Sequence, residues 1–225
     1  MSSKAVLFDL DGTLLDTAPD MTCALNKLLA EERLEPLSFG TVRPYVSHGA
    51  ASLVRLAFPE APEAEFNLLR ERFLMIYRGC LADRTCLFDG MAELLATFER
   101  TGIPWGIVTN KPTWLTEPLL EALGLDTRAG SVVCGDTFEE RKPHPRPLLH
   151  AASEIGVAPE DCLYVGDAER DIRAARAAQM RSLIARFGYI GPSDDIAAWS
   201  ADGCIDSPHE ILQWLELKPA AAATD

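Results

Sequence analysis

The chain has 225 residues, of which 48% are hydrophobic, and this length suits one large domain or a domain with an insertion. The 34 acidic and 21 basic residues give a net charge of −13, which disfavours contact with a phosphate backbone, so we expect no nucleic-acid partner. No apolar run approaches the roughly 20 residues that cross a bilayer, and the N-terminus lacks a signal-peptide hydrophobic region, so we expect a cytoplasmic protein without a membrane partner.

The first predicted element is a short buried strand over Ala5–Phe8, which ends in a turn. Two carboxylates, Asp9 and Asp11, follow the strand, and Gly12 and the hydroxyl group of Thr13 come next. In an open α/β sheet, ligands bind beyond the carboxyl ends of the strands, which is where these groups fall. Two ionised carboxylates side by side repel, so a divalent cation, a shared proton or both must neutralise one of them. A plain glycine turn with solvated acids is the alternative.

Residues 16–83 show helical patterns and no convincing strand. One amphipathic helix within them ends at Gly79, and its apolar face consists of Phe66, Leu69, Phe73 and Tyr77. A helical block of this length interrupts a chain that later alternates between strands and helices. We therefore expect a helical cap over residues 16–83, inserted into an α/β core made of residues 1–15 and 84–225.

From Phe88 onward, short apolar strands alternate with amphipathic helices, which is typical of a parallel sheet covered on both faces. The predicted strands cover residues 103–109, 131–134, 162–165, 182–185 and 203–205. A helix capped by Asp89 should end at Gly102, and the later predicted helices cover residues 113–123, 148–155, 168–178 and 207–217. The predicted fold class is α/β.

Three of the later strands also lead into polar groups. Thr109 and Asn110 end one strand, Lys142 stands between the next strand and its helix, and Asp167 follows a third. Asp171 lies about one helical turn beyond Asp167, on the same face. Because the carboxyl ends of parallel strands share one edge, we expect these groups to meet the first two acids. A nucleophile, a proton carrier, a hydrogen-bond donor, a fixed cation and a Mg²⁺ site are the parts that phosphoryl transfer needs.

This order of motifs resembles the haloacid dehalogenase-like phosphohydrolases. Their pattern is D-x-D-G-T, a strand-terminal Thr or Ser, a Lys before Pro, and G-D-x-x-x-D, and all four motifs occur here in that order. The resemblance covers nearly the whole chain. It implies a Rossmann-like parallel-sheet core with a helical cap inserted after the first motif.

The resemblance also implies roles for the acids. Asp9 would attack phosphorus and form an aspartyl-phosphate. Asp11 would protonate the leaving oxygen and then deprotonate the water that hydrolyses the intermediate. Mg²⁺ would be held by Asp9, the backbone carbonyl of Asp11 and Asp167, with Asp171 as a further ligand or as support.

The remaining motif residues would handle the phosphoryl group. Thr109 and Asn110 would bind its oxygens, together with Gly12 and Thr13 of the first motif. Lys142 would neutralise the charge that develops during transfer.

Within the family, Asp11 favours a phosphate ester over a halogenated compound as the substrate. An alkoxide leaving group needs a proton, and a halide leaving group does not. Within the family, the general match is to the phosphoglycolate phosphatase group, and short stretches at residues 47–50, 88–91, 187–190 and 199–202 resemble the N-acetylmuramic acid 6-phosphate phosphatases of peptidoglycan recycling. Both substrates carry a carboxylate as well as a phosphate. A cationic cap residue should bind that carboxylate, and the candidates are Arg43, His48 and Arg55.

Two other hypotheses stay open at this point. A sugar-phosphate mutase of the same fold would return the phosphoryl group to another hydroxyl of the substrate. A receiver-type signalling module also combines a phosphorylatable Asp with Thr, Lys and Mg²⁺, but it lacks a helical insertion after the Asp strand. We expect a small phosphate ester as the partner and a monomer or homodimer as the assembly.

Overall fold

The computed structural model describes residues 3–215. In chain order, the strands are β1 (Ala5–Phe8), β2 (Leu15–Asp16), β3 (Cys86–Leu87), β4 (Trp105–Val108), β5 (Val132–Val133), β6 (Cys162–Gly166), β7 (Arg181–Ala185) and β8 (Gly203–Ile205). The α-helices are α1 (Ala18–Glu31), α2 (Phe39–Val42), α3 (Gly49–Ala57), α4 (Glu63–Arg78), α5 (Met91–Thr101), α6 (Thr113–Ala122), α7 (Arg146–Glu154) and α8 (Glu169–Ala177). Short 3₁₀ helices cover Arg43–His48, Pro159–Asp161, Ile196–Trp199 and Pro208–Trp214.

Six strands form one parallel sheet in the order β5-β4-β1-β6-β7-β8. The predicted α/β fold class and the predicted parallel sheet are therefore confirmed. The chain builds the sheet outward from β1 to β4 and β5, and then returns to β6 on the other side of β1. The strand order thus reverses beside β1, which is where open α/β sheets bind their ligands.

Strand β1 is apolar at every position because both of its faces are covered. Val6 and Phe8 belong to the cluster that also contains the buried residues of α5 and α6, and Ala5 and Leu7 belong to the cluster formed with α7 and α8. Alternate residues of a strand point to opposite faces, so four consecutive apolar residues supply two for each face. The predicted strand and the observed one have the same bounds.

The helical block predicted over residues 16–83 contains α1 to α4. Strands β2 and β3 flank it and pair with each other antiparallel, so the chain enters and leaves the block through one two-stranded ribbon. The sequence predicts neither of these strands, because two residues are too few to show a periodic pattern. We keep the division into a core (residues 1–15 and 84–225) and a cap (residues 16–83) as a proposal.

Several helix boundaries lie one or two residues from their predictions, and two further differences concern a capping residue and the type of helix. Gly90, not Asp89, precedes α5, and its φ of +82° is a conformation that glycine adopts easily. The final helix, predicted over residues 207–217, is a 3₁₀ helix that ends at Trp214, while residues 216 and 217 lie outside the described part of the chain. Between residues 3 and 215, no helix has both the length and the apolar character needed to span a membrane.

Candidate active site

The carboxyl ends of the central strands bring four predicted residues together. The Nζ atom of Lys142 lies 2.8 Å from Oδ1 of Asp9 and 2.8 Å from Oδ1 of Asp171, and none of these side chains is more than 3% exposed. Asp9, Asp167 and Asp171 each offer a carboxylate oxygen that lies within 4.8 Å of the other two. One cation and three acids, distant in sequence, thus form a single cluster at the edge of the sheet.

Strand β4 holds Lys142 at the centre of this cluster. The ammonium group donates to the carbonyl oxygen of Val108 at 2.8 Å and to the hydroxyl oxygen of Tyr164 at 2.8 Å. The side-chain amide of Asn110 donates to the carbonyl oxygen of Lys142 at 2.9 Å and accepts from its N–H group at 3.1 Å. The Asn110 side chain therefore positions Lys142, and the phosphate contact predicted for Asn110 stays a prediction.

Asp9 and Thr109 both line the cavity in front of the cluster. Oδ1 of Asp9 accepts the N–H of Leu10 at 2.7 Å, while Oδ2 lies 3.7 Å from the guanidinium group of Arg170. The Thr109 hydroxyl oxygen accepts the N–H of Lys111 at 3.1 Å. Its own hydrogen can therefore point into the cavity, as a phosphate ligand would require.

The acidic cluster fits a divalent cation. Mg²⁺ prefers oxygen ligands, and Asp9, Asp167 and Asp171 supply carboxylates at suitable separations. Oδ1 of Asp167 is buried and has no hydrogen-bond partner among the described residues, which leaves it available as a ligand. The carboxylate of Asp11 is engaged elsewhere, because Nζ of Lys111 lies 3.0 Å from one of its oxygens and 3.3 Å from the other. Of the groups of Asp11, only the backbone is thus available for the predicted contact with the metal.

The pKa of Asp167 also indicates a cation site. Burial, with the nearby charges of Asp9 and Asp171, raises the pKa of Asp167 to about 7. Its Oδ2 atom accepts a hydrogen bond from the Ser47 hydroxyl at 2.5 Å and another from the Tyr189 N–H at 2.8 Å, and both bonds favour the charged form. The remaining excess of negative charge is what a bound cation would offset.

Gly12 and Thr13 build the turn after β1, and neither is among the cavity-lining residues. Gly12 has a φ of +85°, and a Cβ atom there would lie 2.1 Å from Oδ2 of Asp167. Thr13 is fully buried, with no partner for its hydroxyl among the described residues. The predicted phosphate-binding role of both residues stays a prediction. Gly12 is needed because the turn passes too close to Asp167 for any side chain.

A cavity of about 560 Å³ lies between the helical block and the carboxyl edge of the sheet. The core contributes the groups described above, and the block contributes apolar side chains from α1 and α4 as well as Ser47 and His48. The cavity is rich in cations despite the negative charge of the whole chain. These cations are Arg70, Lys111, Arg141, Lys142 and Arg170.

Of the three predicted cap cations, only His48 lines the cavity. Arg43 instead donates to two carbonyl oxygens of the loop after β7, both at 2.9 Å, and lies over the ring of Tyr189. Arg55 donates to a carbonyl oxygen within the block at 2.9 Å, and its guanidinium carbon lies 4.1 Å from the ring centroid of Phe66. Both guanidinium groups are thus used for packing in this structure, and binding of the substrate by Arg43 or Arg55 stays a prediction.

Several cations that line the cavity are not among the site residues predicted from the sequence. Lys111 directly follows the Thr-Asn pair of the second motif, and Arg170 lies within the fourth motif. Arg70 lies on the same face of α4 as Phe73 and Tyr77, three and seven positions before them. A charged residue on an otherwise apolar helical face was the signal that could have identified Arg70.

The sequence pattern of a known family matches most of the chain. The family description is haloacid dehalogenase-like hydrolase, and the match covers residues 6–185. The chain belongs to this family. The resemblance drawn from the four motifs is therefore confirmed, and the Rossmann-like core agrees with it.

Several relatives within this haloacid dehalogenase-like family cover almost all of the chain. A phosphoglycolate phosphatase from Xylella fastidiosa (strain Temecula1) is 46% identical over 206 residues, which cover 92% of this chain and 90% of the relative. An N-acetylmuramic acid 6-phosphate phosphatase from Pseudomonas putida is 43% identical over 217 residues, covering 96% and 97%. A crystal structure of a predicted phosphoglycolate phosphatase from Haemophilus somnus has a TM-score of 0.83 and 30% identity, covering 95% and 98%.

These comparisons agree with the reaction class predicted from the motifs. As a haloacid dehalogenase-like enzyme with phosphatases among its similar relatives, the chain is a phosphoric monoester hydrolase. The predicted enzyme class is confirmed.

The raised pKa of Asp167 predicts how metal-free stability depends on pH. The folded protein holds a proton on Asp167 up to about pH 7, while an unfolded Asp loses its proton near about pH 4. Stability should therefore fall as pH rises between these values, and Mg²⁺ should raise the melting temperature more at about pH 8 than at about pH 5.5. Thermal unfolding in EDTA and in Mg²⁺ measures both effects.

Asp167→Asn provides the control for that experiment. An amide can still accept the hydrogen bonds of Ser47 and Tyr189, but it cannot ionise. The variant should be more stable than the parent in EDTA at the higher pH, and Mg²⁺ should stabilise it little. A variant that keeps the full Mg²⁺ response would remove Asp167 from the metal site.

Gly12→Ala should destabilise the protein. The new Cβ would clash with Asp167, and the positive φ would add about 1–3 kcal/mol of strain. Gly40→Ala is the matched control, because Gly40 lies in α2 and its Cβ would meet no atom closer than 4.0 Å. Gly40→Ala should be neutral or stabilising, by up to about 1 kcal/mol. Equal melting temperatures for the two variants would contradict the clash.

Proposed function

We propose that this enzyme is a Mg²⁺-dependent phosphatase for a small phosphate monoester that carries a second anionic group, and that it acts through an aspartyl-phosphate on Asp9. The observation that carries the proposal is the buried Lys142 ammonium, which contacts Asp9 and Asp171 at 2.8 Å each beside Asp167. This group gives a transferring phosphoryl group a fixed positive partner.

In the first step, a carboxylate oxygen of Asp9 attacks phosphorus. The new bond joins Asp9 to phosphorus, and the bond between phosphorus and the leaving oxygen breaks with its electron pair on that oxygen. Asp11, in its protonated form, gives its proton to the leaving oxygen, and the alcohol departs. Thr109 donates its hydroxyl hydrogen to a phosphoryl oxygen during this transfer.

In the second step, water hydrolyses the aspartyl-phosphate. Asp11 is now ionised and takes a proton from the water as its oxygen bonds to phosphorus. The bond between phosphorus and Asp9 breaks, which restores the Asp9 carboxylate and releases phosphate. Asp11 ends the cycle protonated, as it began.

Asp9, Asp167 and the backbone carbonyl of Asp11 would hold Mg²⁺, with Asp171 as a further ligand or as support. Both oxygens of Asp171 already have partners, Lys142 and the N–H group of Ala168, which favours the supporting role. When bound, Mg²⁺ supplies positive charge that reduces the repulsion between an anionic nucleophile and an anionic phosphoryl group.

The composition of the cavity supports a substrate with a second negative group. A net charge of −13 gives the molecule an unfavourable overall field for anions, yet five cations line this cavity. 2-Phosphoglycolate and N-acetylmuramic acid 6-phosphate both carry a carboxylate. A volume of about 560 Å³ suits the sugar phosphate better than the two-carbon acid, so we favour N-acetylmuramic acid 6-phosphate as the substrate.

The cytoplasmic location and the assembly as a monomer or homodimer stay predictions. Fractionation of cells and light scattering of the purified protein would measure them.

A phosphate-release assay tests the proposed function. We expect turnover of N-acetylmuramic acid 6-phosphate or 2-phosphoglycolate with Mg²⁺, loss of activity in EDTA, and no turnover by Asp9→Asn. Asp11→Asn should slow hydrolysis of the sugar phosphate by on the order of a hundredfold or more. Hydrolysis of p-nitrophenyl phosphate should be slowed much less, because p-nitrophenolate leaves without a proton. An isomerised sugar phosphate without free phosphate would indicate a mutase. A stable phosphoprotein without turnover would indicate a signalling module.

Arg70 should bind the carboxylate of the substrate. Arg70→Met is expected to raise KM for carboxylate-bearing substrates about tenfold or more, and to change kcat little, because a contact away from the phosphorus acts equally in ground and transition states. Arg72→Met is the matched control on the outer face of the same helix, where Arg72 pairs with Glu31 and Glu32. Equal effects of both substitutions on KM would remove Arg70 from the binding site.

A further inference from the structure

Both oxygens of the Asp11 carboxylate lie against one ammonium group, at 3.0 Å and 3.3 Å from Nζ of Lys111. The side chain of Lys111 is 3% exposed and that of Asp11 is 15% exposed. A contact this far from solvent has few alternative partners, and Asp11 has an oxygen that can accept a hydrogen bond from Lys111 both as the carboxylate and as the carboxylic acid. The direction in which the Asp11 carboxylate points is therefore set by Lys111.

A second residue, Tyr77, also holds the ammonium group of Lys111. Its ammonium donates to the hydroxyl oxygen of Tyr77 at 2.9 Å and lies 4.6 Å from the centroid of the Tyr77 ring. Tyr77 is fully buried, belongs to α4, and stacks on Phe73 with an angle of 5° between the rings. Lys111 follows β4 in the sheet. The ammonium group is thus clamped between a residue of the helical block and a residue of the sheet edge.

We propose that Lys111 is a positioning residue for Asp11, and that Tyr77 of α4 holds Lys111 in that position. The proposal rests on the proposed function, since it assigns Asp11 the role of proton carrier. Without the hydroxyl group of Tyr77, the long side chain of Lys111 regains rotamer freedom, and the Asp11 side chain is no longer held in one place.

A double-mutant cycle between Lys111 and Asp11 tests the proposal. The assay compares kcat/KM for the sugar phosphate, which needs a proton on leaving, with kcat/KM for p-nitrophenyl phosphate. Lys111→Met should lower the first value by on the order of tenfold or more and the second much less. In the Asp11→Asn background, Lys111→Met should cause little further loss. Equal factors in both backgrounds would overturn the proposal, because Lys111 would then act on the substrate directly.

Tyr77→Phe tests the part of the proposal that involves the helical block. The variant keeps the ring and its stacking on Phe73, and it removes only the hydroxyl oxygen that accepts from Lys111. It should lower kcat/KM severalfold for the sugar phosphate and little for p-nitrophenyl phosphate. Tyr45→Phe is the matched control, because Tyr45 is 40% exposed on the same block. Equal kinetics for the two tyrosine variants would overturn the role of Tyr77.

Failure of the proposed function and failure of the positioning role give different results. If the parent protein hydrolyses no phosphate ester, the proposed function fails. If the parent is active and the cycle is additive, only the positioning role of Lys111 fails. Melting temperatures show whether Lys111→Met folds, and if it does not, Tyr77→Phe decides the outcome.

Discussion

The buried ammonium group of Lys142 is the interaction on which the acidic edge of the sheet depends. Asp9, Asp167 and Asp171 come within 4.8 Å of one another at buried positions, where like charges repel strongly. Lys142 contacts two of them and is itself fixed by the end of β4. The third acid, Asp167, keeps an unpartnered oxygen and a raised pKa. Lys142 and the guanidinium group of Arg170, which lies 3.7 Å from Asp9, thus face three acids, and the remaining imbalance suits a metal ion.

Sequence reasoning was sufficient wherever the signal was local or followed from sheet topology. The bounds of β1 and the contact between Lys142, Asp9 and Asp171 follow from apolar runs and from the rule that parallel strand ends share an edge. Sequence reasoning was insufficient where packing in three dimensions decides what a side chain contacts. Arg55 carries the charge expected of a substrate ligand, but it packs on a ring inside the helical block. Gly12 belongs to the first motif for a steric reason, which only the approach of Asp167 reveals.

The charge distribution separates the reacting region from the rest of the surface. A chain with a net charge of −13 repels anions at long range, and salt reduces that effect over about 8–10 Å. The cations of the cavity act at shorter range and in a partly enclosed volume, where their fields are stronger. An anionic substrate is therefore attracted only close to the cavity. This arrangement favours selection among anions by fit over rapid capture of all of them.

The antiparallel pairing of Leu15 with Leu87 and of Asp16 with Cys86 has a consequence for the evolution of such enzymes. Because the entrance and the exit of the inserted helices are neighbours, about one strand spacing of 4.8 Å apart, the strands of the main sheet need not adjust to what lies between them. A different insertion with closely spaced ends could replace this one and leave the cluster of Lys142 with Asp9, Asp167 and Asp171 undisturbed. New substrate preferences could then arise by exchange of a module, with the reaction chemistry inherited intact.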